Sequence, residues 1–148
     1  MTKRAVILIG MPASGKTTYY HKFFEDFAHV NLDTLRTRHQ EQIELGRLVK
    51  QGLNYVVDNT NPRKSDRARY IPQAKDAGYQ VDGFFFQSDV AECVKRNEKR
   101  EGKAKIRPNA IGLISSWLEM PSLGEGFDNL YVVMIQGNDF VTADWGQL

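Results

Sequence analysis

Gly10-Met11-Pro12-Ala13-Ser14-Gly15-Lys16-Thr17 satisfies the pattern G-x-x-x-x-G-K-[ST] at every position. Glycines at this spacing let backbone N–H groups turn inward around phosphate oxygens. A helix starting at the same place aims its positive dipole end at the anion. Lys16 can reach the β and γ phosphates, and the Thr17 hydroxyl can sit on Mg²⁺. The candidate ATP-binding residues are therefore Gly10, Ala13, Ser14, Gly15, Lys16, Thr17 and Thr18. The stretch "NYVVDNTNP" adds an apolar strand ending in Asp58, the usual source of a carboxylate for the metal. Asp58 also reads as a turn former, because Asn59 and Asn61 follow it.

Phosphoryl transfer needs a base or orienting carboxylate near the acceptor hydroxyl. Asp33 closes the expected second strand, at the same sheet edge as the phosphate loop. Arg36 is expected on the first turn of the following helix, where a guanidinium can hold a neighbouring phosphate. Asp33 also fits as the N-cap of a helix opening at Thr34, and the two roles are compatible. The densest basic stretch is "CVKRNEKREGKAKIRP", which includes Lys103 and Lys105. Arg96 and Arg100 lie four apart and are expected on one helix face, able to close over the phosphate as a lid. A solvated basic helix would have the same composition.

The elements that must position these residues alternate. "RAVILIG" is a continuous apolar run, as expected of a central parallel strand buried on both faces. Further strands are expected over residues 28–33, 53–58, 80–87 and 129–135, the last closing the sheet. Helices are expected over residues 16–27, 34–52, 62–79 with an interruption near Pro72, 89–100 with Asp89 as N-cap, and 109–120. Leu35, Ile43, Leu45 and Leu48 are candidate core contacts, as are Phe84, Phe85 and Phe86. Cys93 reads as a small core residue and Trp117 as core or hinge packing. His21, His29 and His39 read as structural or exposed, and Trp145 lies in a polar tail. This rhythm argues one α/β domain over residues 1–148: a P-loop kinase fold with a mostly parallel sheet, flanking helices and a basic helical lid. In such sheets ligands bind beyond the carboxyl ends of the strands.

Composition sets wider bounds. The 148 residues are 41% hydrophobic and 26% charged, which suits a soluble globular chain. A formal net charge of +2 neither demands nor excludes nucleic acid. The single cysteine forbids an internal disulfide and suits a reducing cytoplasm. No apolar run approaches the roughly 20 residues of a membrane span. "MTKRAVILIG" is too short in its apolar part for a signal peptide and leads into the phosphate loop.

The chain resembles the kinase domain of polynucleotide 5′-hydroxyl kinases, of the phage polynucleotide kinase and animal polynucleotide kinase/phosphatase type. The resemblance is carried by "GMPASGKTT", "NLDTLR", "DNTNPRKSDRARY", "VKRNEKR" and "EMPSLGEGFD", in family order from about residue 5 to 135. It implies ATP and Mg²⁺ as cofactors and a 5′-hydroxyl polynucleotide as acceptor. It further implies Lys16 and Thr17 as phosphate-loop lysine and metal-side hydroxyl, Asp33 as general base, and Arg36 on the acceptor's 3′-phosphate. Asp58 matches the aspartate opening the D-x-T-N segment, and Arg96 and Arg100 match the lid arginines. Arg100 faces the transferring group in that reading.

Two departures stand out: Leu32 occupies a position where the family often has arginine, and no phosphatase domain is expected in these residues. End repair would then need a separate phosphatase or ligase partner. Two other readings remain open. One is a P-loop kinase of a small molecule such as a nucleoside or sugar nucleotide. The other is a nucleotide-binding interaction module without turnover, against which Asp33, Arg36 and Arg100 argue.

Overall fold

The computed structural model describes residues 2–101 and 106–147. The first strand, β1 (Arg4–Ile9), is followed by α1 (Lys16–Phe23), β2 (Ala28–Val30), α2 (Leu32–Leu35) and α3 (Arg38–Gln51). Next come β3 (Tyr55–Asp58), α4 (Lys64–Arg67), α5 (Ile71–Asp76) and β4 (Gln80–Phe86). The chain then forms α6 (Val90–Glu98), α7 (Pro108–Trp117), a 3₁₀ turn, and the strands β5 (Asn129–Gln136) and β6 (Asp139–Asp144). The sheet order is β2-β3-β1-β4-β5-β6, parallel except for the antiparallel β5–β6 pair.

The uninterrupted apolar run of β1 explains its central place. Ala5, Ile7 and Ile9 pack on one face with Val57, Val81, Leu45 and Leu48. Val6 and Leu8 pack on the other with Tyr19, Tyr20, Phe84 and Phe86. Successive side chains thus feed two separate cores, as the period of a strand requires. The α/β class and the buried phenylalanines agree with the sequence expectation.

Several boundaries differ. The helix expected over residues 34–52 is broken: α2 ends at Leu35, Arg36 takes φ +73°, and α3 begins at Arg38 under a Thr37 cap. Asp33 therefore sits within a short helix rather than at a strand end, and Arg36 in the break rather than on a first turn. Ile43 is 54% exposed, because α3 turns Leu45 and Leu48 to the sheet instead. β5 is not the last strand. β6 returns across Gly137 as a hairpin, an edge strand of mixed polar and apolar side chains that lacks the run of a buried one. Trp145 packs edge-on against Phe85, with ring centroids 5.7 Å apart, and belongs to the core margin.

Two segments that flank the site are clamped by one buried arginine. Arg67 donates to the carbonyls of Asn61 (3.0 Å), Pro62 (2.9 Å) and Glu119, and to both carboxylate oxygens of Glu125 (3.1 and 2.9 Å). Its side chain is fully buried and that of Glu125 nearly so. Breaking a buried pair leaves the remaining charge uncompensated, at a cost of about 3–5 kcal/mol. Arg67→Met is expected to lose on the order of 3 kcal/mol or more in urea unfolding, and adding Glu125→Leu should recover part of the loss. An unchanged unfolding midpoint for the single variant would contradict the clamp.

Candidate active site

The loop after β1 follows from two glycines and a buried neighbour. A Cβ on Gly10 would lie 2.9 Å from both the Phe86 Cβ and the Ser14 Oγ. Gly15 takes φ +99° as the N-cap of α1, and a Cβ there would meet Ile135 and Phe140 at 3.2 Å. The β5–β6 hairpin therefore supports the loop from behind, a contact that only glycine makes without strain. Lys16 folds over the loop, donating to the carbonyls of Gly10 (3.1 Å) and Met11 (2.7 Å). Thr17 and Thr18, the next two candidates, are exposed on the first turn of α1.

Asp58 ends β3 opposite this turn and is 3% exposed. Its Oδ2 accepts from the Thr17 hydroxyl at 2.7 Å and sits 2.8 Å from His29 Nε2. The His29 ring stacks on Tyr20, centroids 4.0 Å apart. Burial alone would raise the Asp58 carboxyl. The hydrogen bonds of His29 and Thr17 and the charge of Lys16 outweigh it and hold the carboxyl below its ordinary value. His29 is structural, as the sequence suggests: it is half-buried and braces the carboxylate. Its place on β2, paired with Val56 two residues before Asp58, puts both side chains on one face.

The residues after Asp58 tie the site together. Gly10 N–H donates to the Thr60 carbonyl (3.0 Å), and Asn61 donates to the Leu8 carbonyl (2.9 Å). The Asn59 side chain accepts from Leu32 N–H (3.0 Å) and donates to Glu41 (3.0 Å) and the Tyr70 hydroxyl (3.2 Å). Buried Glu41 also accepts from Arg38 (3.1 Å) and Tyr70 (2.9 Å). Burial and the nearby Glu41 charge push the Tyr70 phenol up to about 12. None of this network was read from the sequence.

A cavity of about 430 Å³ opens at this edge of the sheet, lined by Lys16, Thr17, Asp33, Asp58, Arg38 and Arg100, with further polar and apolar neighbours. Asp33 is exposed into it. It is not a cap: Asn31 caps α2, accepting from the Asp33 N–H at 2.9 Å, and Thr37 caps α3. Arg36 is exposed and does not line the cavity, whereas Arg38 does. Arg100 lies past the end of α6, so it does not share a helical face with Arg96. Arg96 donates to the Ala13 carbonyl (3.2 Å) and lines a second cavity of about 440 Å³, beyond β4 and β5. The basic helix is thus docked on the phosphate loop, where Met11, Ala13, Cys93 and Ile111 pack together. Lys103 and Lys105 of the basic stretch lie outside the described residues. Trp117 is 40% exposed and lines the first cavity, so it is not a core residue.

These features define a nucleotide-binding P-loop α/β domain of the kinase type. The family described as AAA domain matches residues 6–115, and the chain belongs to it. A bifunctional polynucleotide phosphatase/kinase of Acanthamoeba polyphaga mimivirus is 30% identical over 139 residues, covering 88% of this chain and 33% of its own. The protein of that name from Schizosaccharomyces pombe is 27% identical over 130 residues, covering 84% and 32%. The chain spans about a third of the length of these relatives. The likeness read from the motifs is matched by these relatives. A gluconokinase from Sinorhizobium meliloti 1021 shares the fold at a TM-score of 0.62 and 15% identity, over 90% of this chain and 83% of its own. Among the described residues no helix is long and apolar enough to cross a membrane.

Desolvation lowers the Lys16 ammonium to about 8, and the positive charge of Arg100 adds to the effect, against Asp58 and Asp33. A bound polyphosphate favours the charged lysine and raises it again. Nucleotide binding should therefore take up a proton at pH values above about 8, and affinity should fall as pH rises through that point. Calorimetry at pH 8.5 in buffers of different ionisation enthalpy should read this uptake, and Lys16→Ala should abolish it. Binding without net proton uptake would contradict the assignment.

Proposed function

We propose that this protein is an ATP- and Mg²⁺-dependent kinase that transfers the γ-phosphate to the 5′-hydroxyl end of RNA or DNA. The observation that carries this reading is the single cavity onto which Lys16, Thr17, Asp58, Asp33 and Arg100 all open. Phosphate grip, metal side, base and charge stabiliser share one space, as in-line transfer requires.

The donor set fits Mg²⁺. A hydroxyl and a low-lying carboxylate 2.7 Å apart are hard oxygen ligands, and this ion keeps the rest of its shell for waters and phosphates. Among the described residues no cluster of three or more His, Cys, Asp or Glu competes as an all-protein cage. Thr17 and Asp58 would hold the ion, which when bound neutralises charge on the β and γ oxygens.

ATP lays its phosphates in the loop from Gly10 to Thr18, and Arg96, which donates to the Ala13 carbonyl of that loop, stands beside them. The acceptor's 5′-oxygen attacks the γ-phosphorus as its proton passes to the Asp33 carboxylate. The bond from phosphorus to the β,γ-bridging oxygen breaks, and ADP leaves. Lys16 and Arg100 stabilise the charge on the transferring group. Arg36, exposed in the break three residues after Asp33, would meet the next phosphate of the acceptor. The relatives named polynucleotide phosphatase/kinase support a polynucleotide as the acceptor class.

Asp33→Asn should keep ATP binding and stability, since neither helix cap depends on it, and should lower transfer to a 5′-hydroxyl oligonucleotide by roughly 10²–10⁴. Near-parental transfer by this variant would remove Asp33 as base. Salt tests the acceptor class. Each single-strand phosphate contact contributes a slope near −0.7 in the logarithm of affinity against that of salt. The Michaelis constant for the oligonucleotide should rise with salt more steeply than that for ATP, and Arg36→Ala should raise it and flatten the slope. Equal, shallow slopes with Arg36→Ala silent would favour a small-molecule acceptor.

A further inference from the structure

The lining of the first cavity is of two chemical kinds. Asp33, Arg38, Asp58 and Arg100 are charged; Pro62, Ile114 and Trp117 are apolar. We propose that this apolar group is a seat for the terminal nucleobase of the acceptor, with Trp117 as the residue that makes the enzyme prefer a nucleotide end over a polar small molecule. The inference rests on the kinase reading above and deepens it.

Three observations support the seat. Trp117 leaves 40% of its surface exposed at the end of α7, although Leu118, the next residue, packs on the core. The Arg63 guanidinium lies 5.1 Å from the indole centroid, so the aromatic side also carries a cation. The wall is fixed in place: the Pro62 carbonyl accepts from Glu119 N–H at 2.7 Å, and Lys64 N–H donates to the Glu119 carboxylate at 3.1 Å. These bonds tie the end of α7 to the segment that follows Asp58. The distance between the apolar wall and the metal-side carboxylate is thereby set without a ligand, which lowers the ordering cost of binding.

A π-face and apolar side chains in one cavity with Lys16, Arg38 and Arg100 complement a nucleotide, which has a flat base at one end and phosphate at the other. A sugar acid or polyol has no flat apolar face to cover Trp117. Stacking on an aromatic side chain is tolerant of sequence, because every base has a π-face. The seat should therefore read the presence of a base and discriminate weakly among bases.

The test compares a 5′-hydroxyl oligonucleotide with the same strand made abasic at its 5′-terminal nucleoside. Both are assayed with the parent, Trp117→Ala and Trp117→Phe. The parent should lose about 5- to 150-fold in kcat/KM on the abasic strand, the range of one stacked base. Trp117→Ala should lose as much on the intact strand and little more on the abasic one, with its KM for ATP unchanged. Trp117→Phe should regain most of the preference. Quenching of tryptophan fluorescence by the intact strand, and not by the abasic strand, should accompany binding in the parent. A parent that uses both strands within about twofold overturns the seat, as does Trp117→Ala that keeps the full preference. If Trp117→Ala does not fold, the parent and Trp117→Phe on the two strands decide alone. A parent that labels neither strand overturns the acceptor class itself, and the seat with it.

Discussion

The carboxyl end of β3 is the joint on which the site depends. Within four residues, Asp58 holds Thr17 and His29, Asn59 holds Leu32, Glu41 and Tyr70, Thr60 receives the Gly10 amide, and Asn61 reaches Leu8. The Asp58 carbonyl also accepts from Asn31 at 2.8 Å. Buried polar groups must be bonded, so each of these contacts fixes a direction as well as a distance. One short segment thereby sets the phosphate loop, the Asp58 carboxylate and the short helix bearing Asp33 relative to one another.

The same segment explains how opposed charges are held together without a ligand. Lys16 loses hydration, and the loop carbonyls of Gly10 and Met11 replace only part of it. Asp58 stays ionised because His29, Thr17 and Lys16 outweigh its burial. Lys16 and Asp58 are therefore charged groups held in burial before any phosphate enters, a setting in which electrostatic interactions act strongly. Further out, Arg67 secures Asn61 and Pro62, which line the cavity, through their carbonyls, and joins them to Glu119 and Glu125.

Much of this was legible in the chain because it is local. The phosphate loop, its strand and its helix are contiguous, so spacing alone specified their geometry. Asp58 was readable because an apolar strand ends there. The break at Arg36 was not, since neither glycine nor proline marks it and the positive φ falls on an arginine. His29 and Glu41 act through register and tertiary contact, which single-sequence periodicity does not carry. β6 is an edge strand of mixed side chains; the Gly137-Asn138 pair was its local signal, as a hairpin turn. Trp117 has the spacing of a core residue on an apolar helix, and only the position of that helix beside the cavity turns it outward.

The central claim is that the phosphoryl group goes to a polynucleotide 5′-oxygen. The most direct measurement follows label from γ-labelled ATP when the protein is offered a 5′-hydroxyl oligonucleotide, a nucleoside, gluconate or water alone, each with Mg²⁺. The account expects label on the 5′ end of the oligonucleotide, with little on the nucleoside, gluconate or free phosphate. Label on gluconate or the nucleoside with none on the oligonucleotide, or release of free phosphate alone, would contradict it.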